Sequence, residues 1–199
     1  MIIKVCGITN AGDAQAAIDA GTNAIGFNFY RQSPRYIAPE RAAAITTPGV
    51  RRVGVFVNET PARIEEIARI AALDTVQLHG SESPADYPKG VTIWKAVRVR
   101  ADFSIAPYAD LPVEALLLDG PAGDLYGGSG RTFDWSRAAA SGVHIIVAGG
   151  LDGDNVARAI EIANPWGVDS CSRIERTEGY KDHKKMHDYI QAAKAALVV

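Results

Sequence analysis

Short apolar runs alternate with amphipathic stretches along almost the whole chain. The apolar runs are nearly continuous, as in Val53-Gly54-Val55-Phe56-Val57 and Leu116-Leu117-Leu118. Strands buried on both faces carry that pattern, which is the pattern of a parallel sheet. It predicts strands over 2–7, 24–29, 52–57, 75–78, 92–97, 115–119, 144–148 and 167–170. The stretches between them are rich in Ala, Glu, Arg and Ile. They predict helices over 11–20, 39–45, 61–71, 84–87, 103–108, 135–140, 154–163 and 182–196. The fourth, fifth and sixth are short enough to be single turns. Pro39 and Pro61 sit where a first helical turn tolerates proline. Thr60 and Asp182 suit N-caps, and Gly21 follows a helix end.

Eight strand–helix units in 199 residues match the lower size limit of the β/α barrel. The expected architecture is therefore an α/β fold, a (β/α)8 TIM barrel with eight parallel strands, as one domain over 1–199. An open doubly wound sheet is the competitor, and it would show fewer strands and a glycine-rich dinucleotide turn. Gly128-Ser129-Gly130 lacks the third glycine of that turn, because Phe133 stands in its place. The same segment has no lysine at P-loop spacing, which disfavours a nicotinamide or ATP enzyme. There is no linker or low-complexity tract, and the recurrence of roughly 25 residues is the barrel unit itself.

Composition narrows the partners. Hydrophobic residues make up 47% and charged residues 22%, enough apolar material for a sizeable core. The net charge of −2 offers no basic excess to collect a phosphate backbone, so no nucleic-acid partner is expected. The apolar run at the N-terminus is broken by Lys4 and is too short for a signal peptide. No apolar stretch approaches the roughly 20 residues of a membrane helix. A soluble, cytoplasmic protein with no membrane partner is expected, as a monomer or homodimer. Two cysteines, Cys6 and Cys171, leave one disulfide open but give no secreted disulfide scaffold.

The active site of such a barrel lies at the C-terminal ends of its strands. Polar residues there are Cys6, Thr9, Asn28, Asn58, Gln77, His79, Lys95, Arg98, Asp119, Asp169 and Ser172, with Arg35 on the loop after the second strand. A lone cysteine is usually a small buried hydrophobe, but Gly7 lets the chain turn sharply and turns Cys6 toward the mouth. Asp119 directly follows three leucines, where an acid costs free energy unless it is hydrogen-bonded or useful. A loop-anchoring carboxylate is the other account of it. The glycine-rich loop after Asp119 looks like a lid or a plain surface loop. Ala148-Gly149-Gly150-Leu151 falls after the seventh strand, where barrels commonly seat phosphate on backbone N–H groups.

Other features read as structural. His183 and His187 share a helix face at i, i+4, but lysines surround them and no third ligand is near, so no metal site is expected. His79 is as much a satisfied structural histidine as a pocket residue. Cys171 reads as a packed residue beside the mouth, and Trp94, Trp135 and Trp166 as core or rim aromatics.

The ordered motifs resemble the phosphoribosylanthranilate isomerase family. They are Lys4-Val-Cys-Gly-Ile-Thr-Asn10, Gly26-Phe-Asn-Phe29, Ser33-Pro-Arg-Tyr-Ile37, Val53-Gly-Val-Phe-Val-Asn58 and Val76-Gln-Leu-His-Gly80. Leu117-Leu-Asp119, Gly127-Gly-Ser-Gly130, Thr132-Phe-Asp-Trp135, Ala148-Gly-Gly-Leu151, Asn155-Val156 and Val168-Asp169 follow. Each motif alone is weak, and the ordered set is specific. The resemblance implies an Amadori rearrangement of N-(5-phosphoribosyl)anthranilate to its 1-deoxyribulose isomer, without cofactor or metal. It implies Asp119 as general acid and Cys6 as general base. It implies Arg35 on the anthranilate carboxylate, with Gln77, Asp169 and Gly128 lining or closing the pocket. Gly149, Gly150 and the segment around Ser172 would hold the phosphate.

One departure stands out. Where the family usually reads Asp-x-Ser-Ser-Gly-x-Glu, this chain has Asp169-Ser-Cys-Ser-Arg-Ile-Glu175. Arg173 in place of glycine either alters the backbone at the phosphate or adds a charge-assisted contact to it, and the second is favoured. Asn28 is an unusual polar residue in an apolar strand. Two other readings are a second isomerase activity on the histidine-pathway aminoaldose, and a barrel that binds a phosphosugar without turning it over. The first needs a second phosphate seat across the mouth, and intact Cys6 and Asp119 argue against the second.

Overall fold

The computed structural model describes residues 1–120, 132–139 and 142–197. Eight parallel strands close on one another in chain order. They are β1 (Ile2–Cys6), β2 (Ala24–Asn28), β3 (Arg51–Phe56), β4 (Thr75–Leu78), β5 (Thr92–Arg98), β6 (Ala115–Asp119), β7 (Ile145–Val147) and β8 (Gly167–Ser170). Strand β1 pairs with both β2 and β8, which closes the ring. Each expected strand is present to within one residue at either end. A parallel strand needs a crossover to its neighbour, and here the crossovers carry α1 (Ala11–Ala20), α2 (Pro39–Ala43), α3 (Pro61–Ile70) and α4 (Val156–Ala163), with α5 (His183–Ala195) at the end.

The helix ends follow the local chemistry. Thr60 accepts from the Arg63 N–H and Asp182 from the Lys185 N–H, while Gly21 closes α1 at φ 99°. The three short segments become 3-10 turns at Pro84–Asp86, Ala106–Tyr108 and Trp135–Ala138, because so few residues cannot repay helix nucleation. Helix α4 starts two residues later than the pattern suggests. Asp152 Oδ1 accepts from the Asp154 N–H there and holds a turn ahead of the helix. A further 3-10 turn at Ser172–Ile174 leads into a small antiparallel ribbon, β9 (Glu175–Thr177) and β10 (Tyr180–Lys181). Neither was legible in the pattern, since strands of two and three residues show no period.

Side chains alternate across each strand, and this splits the core in two. Ile3 and Val5 of β1 join the apolar layer between sheet and helices. Lys4 and Cys6 point the other way, into the barrel. The interior floor is apolar, built by Ala24, Val53, Trp94, Ala115, Leu117 and Ile146. Trp94 is fully buried and donates to Glu114 at 2.7 Å, and Trp166 meets Trp94 edge-on while stacking on His144. Toward the C-terminal ends of the strands the interior turns polar, with Lys4, Gln77, Asp119 and Asp169 all buried. Among the described residues no helix is long and apolar enough to cross a membrane.

Candidate active site

The polar end of the barrel opens into a cavity with about 620 Å³ of empty space, counting its open mouth. Its lining includes Cys6, Arg35, Gln77, Asp119, Gly149, Gly150, Asp169, Ser172 and Arg173. The sequence placed every one of these at a strand end or in the loop beyond it. Gly128 lies outside the described residues, as does nearly all of the glycine-rich loop that carries it.

Cys6 closes β1 and is buried. Gly7 turns the chain behind it at φ 74°, where a Cβ would lie 3.0 Å from both Arg35 and Cys171. The Cys6 thiol is pushed well above its ordinary value, first by its hydrogen bond with Cys171 and then by burial, with Lys4 opposing. Cys171 moves the other way, down to about 7. The hydrogen bond from Cys6 is the main cause, and the Lys181 and Arg35 cations add to it. Negative charge on this thiol pair therefore favours Cys171.

Lys4 sits two residues before Cys6 on the same face of β1, with no exposed surface. Its Nζ donates to Asp169 Oδ2 at 2.9 Å. Burial disfavours the ammonium, but Asp169 and Cys6 hold it above its ordinary value. Burial pushes the Asp169 carboxyl up to about 7, against the pull of Lys4.

Asp119 ends β6 across the cavity from Cys6 and is 5% exposed. His79 Nε2 lies 3.4 Å from Asp119 Oδ2, and His79 Nδ1 lies 3.4 Å from Gln77 Nε2. Gln77 Oε1 and Asp169 Oδ1 are buried and have no hydrogen-bond partner among the described residues. Two acceptors on the cavity wall thus remain for donors brought by a ligand.

Arg35 reaches the cavity from the loop after β2. Its Nε donates to Glu175 Oε1 at 2.9 Å and its Nη2 to Glu175 Oε2 at 2.7 Å. Lys181 Nζ donates to the same Oε1 at 3.0 Å. Burial alone would raise the Glu175 carboxyl, but Arg35 and Lys181 hold it below its ordinary value. Asn28 now has an account. Its Oδ1 accepts from the Tyr30 N–H at 2.9 Å, its Nδ2 donates to Ser33 Oγ at 3.1 Å, and Ser33 Oγ accepts from the Arg35 N–H at 3.2 Å. Asn28 fastens the loop that delivers Arg35.

The glycine pair after β7 forms the opposite wall. Gly149 adopts φ 82°, and a Cβ there would lie 2.4 Å from the Gly120 nitrogen and 2.7 Å from Asp119 Oδ1. Only glycine fits so close to that carboxylate. Asn155 Nδ2 donates to the Gly150 carbonyl at 2.8 Å and fixes the loop from the helix side. Ser172 and Arg173 begin the 3-10 turn after β8. Arg173 does not have a positive φ, so its backbone makes no demand for glycine. Its Nε donates to Asp152 Oδ2 at 2.9 Å, and the half-exposed side chain lines the mouth beside Ser172.

Residues 3–192 match the family model described as N-(5'-phosphoribosyl)anthranilate (PRA) isomerase. The chain belongs to the N-(5'-phosphoribosyl)anthranilate isomerase family. It is 68% identical over 197 residues to the N-(5'-phosphoribosyl)anthranilate isomerase of Solibacter usitatus, covering 99% of each chain. A crystal structure of the isomerase from Thermotoga maritima superposes with a TM-score of 0.90 at 38% identity, covering 98% of this chain and 100% of that one. A second isomerase structure, in complex with reduced 1-(o-carboxyphenylamino)-1-deoxyribulose 5-phosphate, gives a TM-score of 0.86 at 36% identity, again over 98% and 100%.

Within this isomerase barrel some shortlisted polar residues serve the frame. Asn58, at φ 50°, accepts from the Ser81 N–H through Oδ1, and Lys95 pairs with Glu82 at 2.8 Å. Thr9 Oγ1 donates to the Gly179 carbonyl at 2.5 Å and pins the ribbon to the loop after β1. His183 pairs with Asp13 at 2.8 Å, and His187 is exposed. Among the described residues no group of three His, Cys, Asp or Glu side chains could hold a metal. Lys4, Glu175 and Lys181 escaped the shortlist. Lys4 carried a signal, a lysine in phase with Cys6 on a strand buried on both faces. Glu175 carried one too, as the closing residue of the family segment that begins at Asp169, whereas Lys181 carried none, because the ribbon that places it has no pattern.

Proposed function

We propose that Asp119 and Cys6 perform the two proton transfers of this family's reaction, facing each other across the barrel mouth. The reaction is the Amadori rearrangement of N-(5-phosphoribosyl)anthranilate to 1-(2-carboxyphenylamino)-1-deoxyribulose 5-phosphate, a step of tryptophan biosynthesis. Asp119 gives a proton to the furanose ring oxygen, and the ring opens to a Schiff base. Cys6 removes the proton from C2 of the sugar, and the resulting enolamine tautomerises to the ketone. Both steps move protons between carbon, oxygen and side chains, so neither calls for a redox cofactor. Lys4 beneath Cys6 pulls toward the thiolate the second step needs, against the hydrogen bond with Cys171 and the burial that together raise the thiol.

Binding divides between the walls. Arg35, with its fork held by Glu175, meets the anthranilate carboxylate. Gln77 and Asp169 offer their unpartnered oxygens to the sugar hydroxyls. Gly128 belongs to the same pocket on the family pattern alone. Gly149, Gly150, Ser172 and Arg173, which line the cavity after β7 and β8, seat the phosphate, the place where such barrels commonly hold one.

The chain works as one barrel domain over 1–199, as a monomer or homodimer, in the cytoplasm, where a catalytic thiol stays reduced. The observation that carries the proposal is that Cys6 and Asp119, from opposite sides of the ring, line one cavity with the glycine loop between them. A fluorescence assay on freshly made phosphoribosylanthranilate tests it, and absence of turnover would overturn it. Phosphate soaked into crystals should bind between Gly150 and Ser172, and density elsewhere alone would remove that seat.

A further inference from the structure

Strand β1 pairs with β8 in a register that sets Lys4 opposite Asp169 and Val5 opposite Ser170. One step further, the next residues are Cys6 and Cys171. Neighbouring strands run about 4.8 Å apart, inside the roughly 4.4–6.8 Å between Cα atoms that a disulfide requires. Direction agrees with distance. Cys6 shares the inward face of Lys4, and Cys171 that of Asp169, and those inner residues already touch at 2.9 Å. Both thiols are free, and both line the active-site cavity.

We propose that Cys6 and Cys171 close into a cross-strand disulfide when the protein meets a hydroperoxide, and that this reversibly shuts the active site.

Cys171 is the sulfur that reacts first. It is the more exposed of the two, and Lys181 Nζ lies 3.8 Å from its sulfur. Its thiol is lowered to about 7, so a large share is thiolate near neutral pH. The Cys171 thiolate attacks hydrogen peroxide, the O–O bond breaks, and a sulfenic acid and hydroxide result. Cys6 sulfur then attacks Cys171 sulfur. The S–S bond forms, the S–O bond breaks, and the leaving hydroxide departs as water with the Cys6 proton. Overall two thiols lose two electrons and one peroxide becomes two waters. The sulfur that the proposed mechanism uses as base is then tied up. Buried thiols at adjacent strand ends need no large backbone movement to meet, so the closure reverses on reduction.

The shut-off rests on the reading of Cys6 as the base, but the pairing does not, so the test reads both. The native protein is treated with a small excess of hydrogen peroxide, then analysed by intact mass, by thiol titration after denaturation, and by turnover. The expected product has lost two hydrogens and both titratable thiols, and remains a single chain on a non-reducing gel. Turnover falls by about 100-fold or more, the share a general base contributes, and returns with dithiothreitol. In Cys171→Ser the two-hydrogen loss and the dithiothreitol-reversible inactivation both disappear. A native protein that keeps both thiols, or gains oxygen without forming the bond, overturns the pairing and leaves the role of Cys6 untouched. A disulfide that forms with turnover intact overturns the shut-off and the role of Cys6 together. Reversible inactivation of unchanged size in Cys171→Ser also overturns the proposal.

Discussion

Arg35 and Glu175 stand 140 residues apart in the chain and meet as a forked ion pair on the wall of the cavity, at 2.9 and 2.7 Å. Lys181 shares the same carboxylate at 3.0 Å. Two buried cations thus lean on one anion. The guanidinium is held by two parallel bonds, which fixes its plane as well as its position. A ligand carboxylate arriving from the mouth would meet an oriented donor group.

Arg35→Ala should therefore weaken substrate binding more than turnover. Charged hydrogen bonds contribute about 1.5–3 kcal/mol, so KM should rise by about tenfold or more with a smaller change in kcat. Steady-state kinetics on the carboxylated substrate checks this, and an unchanged KM would remove Arg35 from the binding wall.

Glu175→Gln should destabilise the fold near neutral pH by about 3–5 kcal/mol, since it leaves two buried cations without their counter-charge. The pH dependence follows from the lowered carboxyl. Its contribution is fully present above the ordinary glutamate value of 4.5 and is lost as pH falls through the lower folded value. Urea unfolding of both proteins across pH should show the gap closing in acid. A gap that stays constant would mean the charge on Glu175 is not what stabilises.

Cys6→Ala and Asp119→Asn should each reduce kcat by about 10²–10⁴-fold while the fold and the binding of a product analogue persist. Circular dichroism and calorimetric titration with the analogue separate loss of chemistry from loss of structure. Near-normal turnover in either variant would end that assignment.

Gly149→Ala should lose both stability and activity. The residue sits at φ 82° with no room for a Cβ beside Gly120 and Asp119. Gly49→Ala is the matched control, at φ 71° with open space around it. Left-handed strain alone costs about 1–2 kcal/mol, so Gly49→Ala should cost that much and Gly149→Ala more. Equal melting shifts, with kcat unaffected in Gly149→Ala, would show that the loop relaxes freely.

The sequence by itself determined the barrel, because strands buried on both faces must be apolar along their length and helices that cover them must be amphipathic. It also determined Cys6, Asp119, Gly149 and Gly150 as candidates, since strand ends in such a barrel face one mouth. Tertiary structure decided which polar residues share that mouth and which brace the frame. Asn58 and Lys95 look like Cys6 and Asp119 in one dimension, yet they pair with Ser81 and Glu82 on the rim. It also decided that Arg35 leans on Glu175 and that Cys6 faces Cys171. Those contacts span 140 residues and a strand pairing that joins the first strand to the last. Periodicity reports which way a side chain points from its own backbone, and ring closure alone sets what stands opposite it.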